Sequence, residues 1–244
     1  RSEMTQRDRS KGAAPRDPTR RRAARAIGQA ALLPVLLPAL AACAVELPGS
    51  GAPARIYVLT PKSTFPEDIP FADWQLLVEA PTAPAGISSS RIALRRQLLE
   101  LNYFARAAWT DSAPAMLQTL MIETFENTGK IVSVGRQVIG LRADFILKTD
   151  LREFQAEYMD EKMQPLPDGA PPYVRVRLNA QLVAMPRREI VASETWEYRV
   201  QAESTEMDAI IHAFDAAYGS ILKRMVTWTL KRGEEIMAAR RTSG

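Results

Sequence analysis

Apolar and polar residues alternate along two stretches, 174–182 and 190–200, which flank a turn-forming segment at 185–188. A period of two is typical of a β-strand with one buried face and one solvated face. Two such strands around a short turn predict an antiparallel hairpin. Its inward positions are Val174, Val176, Leu178, Ala180, Leu182, Trp196, Tyr198 and Val200.

A third long strand is predicted over residues 144–158, where the apolar positions change parity. Phe145 and Leu147 occupy odd positions, whereas Phe154 and Ala156 occupy even ones. One extra residue near Glu153 would return both sets to the same face, so we expect a β-bulge there. Shorter strands are predicted at 56–59, 74–79, 91–94, 103–109 and 131–137.

The rest of the apolar pattern predicts two helices. Ser112 suits the N-cap of a helix over 113–127, with Pro114 in its first turn and Gly129 as its stop. From residue 207 onward, apolar side chains recur in steps of three and four, which predicts a long amphipathic helix past residue 231. Together these elements predict a single α/β domain, in which two helices pack on a mixed, mainly antiparallel sheet.

The front of the chain has a different character. Four arginines between positions 20 and 25 precede 17 uncharged residues at 26–42. This is the order of a signal peptide, in which a positive n-region is followed by an apolar h-region. An uncleaved membrane anchor is the competing interpretation, but the run is at the lower limit for spanning and contains Pro34 and Pro38.

The h-region ends in Leu40-Ala41-Ala42-Cys43, which holds the only cysteine of the chain. This order matches the lipobox of bacterial lipoproteins, whose small side chains give the signal peptidase access to the bond between Ala42 and Cys43. We therefore expect cleavage at this bond and lipidation of Cys43, although a buried core cysteine is the alternative. Three acyl chains would hold the protein on a membrane more firmly than one myristoyl chain would.

These patterns divide the chain into four parts. We expect a disordered, Arg-rich leader with a signal peptide at 1–42, a lipidated tether at 43–54, a globular domain at 55–233 and a flexible C-terminal tail at 234–244.

The charge distribution argues against a nucleic-acid partner. The whole chain carries a net charge of +4, but residues 1–42 hold nine Lys/Arg against three Asp/Glu. The remainder has 23 basic and 25 acidic side chains and is nearly neutral. The basic character belongs to the leader, so the domain itself lacks the electrostatic footprint of a nucleic-acid binder.

No catalytic, metal or cofactor site is predicted. The chain has no phosphate-cradling glycine loop and no nucleophile elbow. Its single histidine, His212, falls on the polar side of the last helix and is interpreted as a surface residue. The loose acidic run is interpreted as solvated strand and loop faces; it comprises Asp150, Glu153, Glu157, Asp160 and Glu161.

The chain resembles the auxiliary lipoproteins of ABC-type, Mce-linked transport systems, a family that includes the lipoprotein of the paraquat-inducible operon. The resemblance runs from about Cys43 to Arg232. It rests on the order and spacing of the lipobox, Tyr57-Val58-Leu59, the tyrosine-to-tryptophan segment at 103–111, the helix from Leu117 to Gly129, the strand from Ala143 to Phe154 and the helix from Ala213 to Trp228.

The resemblance implies a non-catalytic periplasmic lipoprotein that is attached to the outer membrane. The sorting rule for bacterial lipoproteins predicts the same location, because the residue after the cysteine is Ala44 and not the aspartate that retains a lipoprotein at the inner membrane. Its implied partners are an Mce-domain substrate-binding protein with its permease/ATPase complex, the outer membrane and, as possible cargo, phospholipid. No cofactor is implied.

Three alternatives remain open from the sequence. They are a lipid-binding carrier whose helices cover an apolar cavity, a periplasmic hydrolase, and a general envelope-assembly lipoprotein. A closed core under the helices would favour an adaptor, whereas a sizeable apolar pocket would favour a carrier.

Overall fold

The order of strands and helices is that of a mixed α/β domain, as predicted. A computed structural model of the protein describes residues 53–136 and 142–243. Its elements are β1 (Arg55–Tyr57), β2 (Ala72–Val78), β3 (Arg91–Gln97), β4 (Glu100–Trp109), α1 (Ala113–Glu126), β5 (Ile131–Gly135), β6 (Phe145–Glu157), β7 (Tyr173–Ala184), β8 (Glu189–Gln201) and α2 (Met207–Ser243). The predicted leader and signal peptide lie outside the described residues.

Strand β6 is the centre of the sheet. One edge of β6 pairs with β7 along its whole length, and β7 pairs with β8, both antiparallel. The other edge of β6 is shared, because β2 pairs in parallel at 145–147 and β3 pairs in parallel at 155–157. Beyond this fork, β5 extends the β2 branch, while β4 and β1 extend the β3 branch. The longest ladders are antiparallel, in agreement with the predicted sheet.

The predicted bulge in β6 is present. The register of β6 against β7 shifts between Leu151 and Glu153. Leu147 and Leu151 on one side of the shift, and Phe154 and Ala156 on the other, are all buried. The extra residue therefore keeps both parities on the core face, as inferred from the sequence.

Both helices cover the same face of the sheet and enclose one continuous apolar core. An aromatic cluster of Trp109, Phe154, Phe214 and Tyr218 lies at its centre, with ring centroids 5.0 to 6.4 Å apart. The Tyr218 hydroxyl donates to the carbonyl oxygen of Leu117 at 3.1 Å and so joins α2 to α1. Burial raises the pKa of Tyr218 well above its ordinary value.

The domain has two ends, defined by where β6 begins and stops. At the β3–β4 end, β6 passes into the loop at 158–172, and β8 finishes before α2 starts. At the β7–β8 end, β6 begins beside the turn at 185–188. Helix α2 has 37 residues and runs about 55 Å between these ends. Its Arg240 guanidinium stands 5.7 Å from the centre of the Phe145 ring at the β7–β8 end.

The prediction of a flexible tail at 234–244 is wrong for residues 234–243, which continue α2. Ile236 and Met237 pack against the core, and Arg241 contacts Asp73 of β2 at 3.5 Å. Gly233 allows this packing, because the indole of Trp74 occupies the space where a side chain would stand. These tertiary contacts stabilise a helical segment whose many charged residues suggest a frayed end.

Replacing Gly233 by alanine is expected to lower the free energy of unfolding by about 1–3 kcal/mol. The added methyl group would overlap the Trp74 ring, and Trp74 is 1% exposed and cannot move aside. Chemical denaturation measures this loss, which opposes the helix propensity that alanine gains over glycine, about 1 kcal/mol. Gly219→Ala is the matched comparison, because its methyl group meets the end of the Lys62 side chain, which can shift at the cost of its contact with Asp215, and not a buried ring. Equal stabilities of the two variants would contradict the expectation.

Candidate functional site

The residues with the most specific sequence signal, Cys43 and Ala42, lie outside the described residues, so lipidation at Cys43 stays a prediction. The described chain begins at residue 53, just ahead of β1. β1 pairs in parallel with β4, with Arg55 beside Ala107. Since β4 starts at the β3–β4 turn, residues 53–54 lead into β1 from the β3–β4 end.

Hydrogen bonds join residues 55–62, which we call the entry segment, to α2. Arg55 and the Tyr57 hydroxyl both donate to Asp208, at 2.8 and 3.2 Å. The Thr60 amide and the Lys62 ammonium donate to Asp215, at 2.7 and 2.8 Å.

The two aspartates that accept these hydrogen bonds, Asp208 and Asp215, have pKa values below their ordinary range. The hydrogen bond from Arg55 lowers the pKa of Asp208. Burial acts to raise the pKa of Asp215, but the hydrogen bonds from Lys62 and Thr60 outweigh burial and lower it. Asp208 and Asp215 therefore stay ionised as partners of the entry segment at neutral pH.

The prediction that the acidic run is solvated is wrong for Glu157. Glu157 is 1% exposed, and its carboxylate faces the guanidinium groups of Arg95, Arg175 and Arg199 at 3.8 to 3.9 Å. The side-chain amide of Gln155 also donates to Glu157, at 3.1 Å. These residues lie on β3, β6, β7 and β8, so the cluster joins four strands at the β3–β4 end. A buried carboxylate that is surrounded by several guanidinium groups and accepts a hydrogen bond from an amide is a structural arrangement.

An open cleft of about 730 Å³ lies between β8, α2 and the loop that follows β1. We call it the aromatic cleft, because Trp196 and Trp228 meet edge to face in its floor with centroids 5.5 Å apart. Arg224 stands 5.6 Å from the centre of the Tyr198 ring. The other lining residues are Thr64, Phe65, Pro66, Glu194, Ser220, Lys223 and Thr227.

Strand β8 contributes one wall of this cleft and is an edge of the sheet. It pairs with β7, and no other strand in the described part of the chain pairs with it. An edge strand of 13 residues presents backbone donors and acceptors that an extended partner segment can bind. Aromatic and arginine side chains beside such an edge are typical of protein interfaces.

The described residues contain little that suggests catalysis. His212 is exposed on α2, as predicted. Within 53–136 and 142–243, no group of three or more His, Cys, Asp or Glu side chains is arranged to hold a metal ion. No helix in these ranges combines the length and the apolar composition needed to cross a membrane. The core beneath the helices is filled by side chains without solvent exposure, among them Leu117, Met121 and Ile221.

The aromatic cleft was not predicted from the sequence. The pattern places Trp196 inward on β8 and marks the last helix as one amphipathic element, but it does not say which strand ends the sheet. The only sequence signal was the pair of tryptophans itself, one at strand spacing and one at helix spacing.

Comparisons with known proteins identify relatives across most of the domain. Residues 57–226 match the family model of the ABC-type transport auxiliary lipoprotein component. A crystal structure of a Xanthomonas campestris protein shares 32% sequence identity, with a TM-score of 0.69 over 76% of this chain and 99% of that chain. A second crystal structure, of an uncharacterized protein, has a TM-score of 0.54 at 12% identity over 72% of this chain and 97% of that one, and shows the fold alone.

A curated relative extends beyond the matched region. An uncharacterized protein of Bradyrhizobium diazoefficiens is 29% identical over 188 residues, which are 76% of this chain and 48% of that protein. The chain thus spans about half the length of the curated relative it matches. The family match over well more than half of the chain, and the Xanthomonas structure with the same fold, lead to one assignment. The chain belongs to the ABC-type transport auxiliary lipoprotein component family, whose members are membrane-associated lipoproteins of the cell envelope that accompany ABC-type transport systems.

Proposed function

We propose that the protein is a non-catalytic adaptor, anchored through Cys43 to the periplasmic face of the outer membrane. In this role it docks the distal end of an Mce-domain assembly, whose permease and ATPase lie in the inner membrane, so that lipid passes between the two membranes. Family membership supports an auxiliary role in ABC-type transport. The lipobox at Cys43 and the residue after it, Ala44, support the location.

The filled core favours an adaptor over a lipid carrier. A carrier needs an enclosed apolar cavity of several hundred Å³ to shield an acyl chain. The interior between the sheet and helices is instead occupied by close-packed side chains such as Leu117, Phe154 and Ile221. The aromatic cleft is open to solvent and has charged residues on both walls, Glu194 on β8 and Lys223 on α2.

The observation that carries the proposal is the aromatic cleft beside the free edge of β8. An extended segment of the Mce-domain protein would pair with the edge of β8 and place an apolar side chain over Trp196 and Trp228. Lys223 and Arg224 on α2 would contact acidic groups of that segment. Buried tryptophans and arginines usually contribute most of the binding energy in such interfaces.

Crosslinking in intact envelopes, followed by purification of this protein, tests the proposal. We expect the wild type to recover an Mce-domain protein. Trp228→Ala is expected to lower that recovery about tenfold or more, because it removes a hot-spot side chain from the cleft. Arg224→Glu, an exposed substitution that leaves the core intact, is expected to act in the same direction.

Phe71→Ala is the matched control, since Phe71 is an exposed aromatic residue that does not line the cleft. Its recovery should equal that of the wild type. Full recovery with both cleft variants would overturn the docking site, and failure of the wild type to recover any Mce-domain protein would overturn the adaptor role. Thermal unfolding of each variant confirms that the domain remains folded.

A further inference from the structure

An exposed apolar tip stands at the turn between β3 and β4. Leu99 is 96% exposed, and Leu98 and Leu101 on either side of it are 47% and 38% exposed. Met163, in the loop between β6 and β7, is also exposed and lies at the same end of the domain. We call the set of Leu98, Leu99 and Leu101 the leucine tip. Neighbouring exposed apolar side chains of this kind usually mark a binding surface.

The leucine tip has a rigid base. The guanidinium group of Arg95 donates to the carbonyl oxygen of Leu98 and thereby fixes the turn. Arg95 also faces Glu157, whose cluster with Arg175 and Arg199 joins four strands directly behind the tip. On the other side, the Tyr103 hydroxyl donates to the carbonyl oxygen of Gly86 at 2.9 Å and ties β4 to the neighbouring loop. The exposure of Leu99 is therefore a property of an ordered hairpin.

The topology places this tip at the end of the domain from which the first described residues, 53–54, lead into β1. Ile56 of β1, Ala108 of β4 and Arg91 of β3 lie at one level of the sheet. Gln97 is six residues further along β3, which places the tip about 20 Å beyond that level. Residues 53–54 extend from β1 in the same direction.

The chain between Cys43 and Arg55 is long enough for the proposed lipid on Cys43 and the leucine tip to reach the same bilayer. Eleven residues lie between Cys43 and Arg55, and the twelve steps between their Cα atoms span at most about 40 Å when the chain is extended. An acyl chain on Cys43 therefore permits the leucine tip, about 20 Å beyond the level of β1, to touch the membrane surface that holds the anchor.

We infer that the leucine tip inserts into the interfacial layer of the same lipid bilayer that holds Cys43, as a second membrane contact. The inference rests on the proposed lipid anchor. Leu99 at the turn is 96% exposed, whereas Leu101 packs against Gly86, and a lipid surface accepts an exposed apolar side chain of this kind without a complementary protein surface. Arg96, which stands over the Tyr158 ring at 4.6 Å, supplies a cation and an aromatic ring at the level of the lipid headgroups.

The consequence is a fixed orientation. One flexible anchor lets a domain tumble, whereas an anchor and an inserted tip together hold its long axis away from the membrane surface. The β7–β8 end, with the end of α2, then points into the periplasm. Insertion requires no particular headgroup charge, because Glu100 lies beside the same turn as Arg96.

A spin label at position 99 of the lipidated full-length protein tests the inference. In Leu99→Cys, the introduced thiol is the only one free for labelling, since Cys43 is the sole native cysteine and carries the lipid. The protein is reconstituted in vesicles of phosphatidylethanolamine and phosphatidylglycerol. We expect the label to be more accessible to dissolved oxygen than to a water-soluble nickel complex, which places it in the apolar layer.

Ile190→Cys is the matched control, because Ile190 is 55% exposed beside the turn at the opposite, β7–β8 end. Its label should stay accessible to the nickel complex. A label at 99 that is equally accessible to nickel, on a vesicle-bound protein, overturns the inference and leaves the anchor intact. A label at 99 shielded from both reagents also overturns it, since that result indicates a protein contact. Absence of fatty acid on the wild type overturns the proposed anchor instead.

A second experiment measures how strongly the leucine tip binds vesicles in the absence of the lipid anchor. The predicted mature chain, which starts at position 43 and carries Cys43→Ala, is expected to bind the same vesicles weakly, and adding Leu98→Ser and Leu99→Ser is expected to reduce that binding about tenfold or more. Both leucines are exposed, so the substitutions leave the core unchanged. Equal binding of the two proteins would overturn the inference independently of lipidation.

Discussion

Replacing Phe154 by alanine is expected to lower the free energy of unfolding by about 3–5 kcal/mol. Phe154 is 1% exposed and lies in the aromatic cluster, 5.0 Å from the Phe214 ring and 5.4 Å from the Trp109 ring. Its removal leaves a cavity between β6, β4 and α2 that the surrounding bulged strand cannot close. Chemical denaturation followed by near-ultraviolet circular dichroism measures the loss.

Phe71→Ala is the control for this measurement, because Phe71 is 57% exposed just before β2. A surface truncation of this kind is expected to change stability by less than about 0.5 kcal/mol. Similar losses in the two variants would contradict the central position of the aromatic cluster.

Replacing Cys43 by alanine is expected to abolish incorporation of a palmitate analogue. Cys43 is the predicted acceptor of the diacylglycerol, so the variant would lose all three predicted acyl chains. Because the predicted cleavage site is lost as well, the apolar segment at 26–42 would remain attached to the variant. Fractionation together with labelling by a palmitate analogue measures the result. Membrane attachment of an unlabelled wild type would contradict it.

Ala44→Asp is the matched variant for the same experiment. It keeps Cys43 and should be labelled to the same extent as the wild type. By the sorting rule for bacterial lipoproteins, aspartate after the cysteine retains the protein at the inner membrane. We expect separation of the two membranes to show this shift. Outer-membrane recovery of Ala44→Asp would contradict sorting by that residue.

The period of the apolar residues was sufficient to predict the long strands and both helices. The core faces of β6 and β7 are buried along both strands, so their apolar positions report directly on the core, and the change of parity at Glu153 located the bulge. On β8 only Trp196 is fully buried, and Tyr198 and Val200 are partly buried against the core. Helix α2 buries a stripe that includes Ile210, Phe214 and Ile221. These strands and helices could be predicted from local sequence because each one has a core-facing side whose apolar residues recur at a regular spacing.

Features that depend on distant partners were not predictable in this way. Glu157 reads as a solvated acid, because nothing near it in sequence indicates the three arginines from other strands that cover it. The end of α2 was misjudged for the same reason, since only Trp74, far away in sequence, explains why Gly233 lies inside a helix. The order β1-β4-β3-β6-β2-β5, which leaves β8 at an edge, likewise has no local signature.

The way in which the entry segment is fastened to α2 has a mechanical consequence. If the acyl group holds one end of the molecule while a transport machine pulls on the other, tension enters the domain through a strand of only three residues. The bonds from Arg55 and Tyr57 to Asp208, and from Thr60 and Lys62 to Asp215, pass that load into the longest helix at two points about two turns apart. Strand β1 would then carry only part of the tension, and α2 would transmit the rest along the length of the domain.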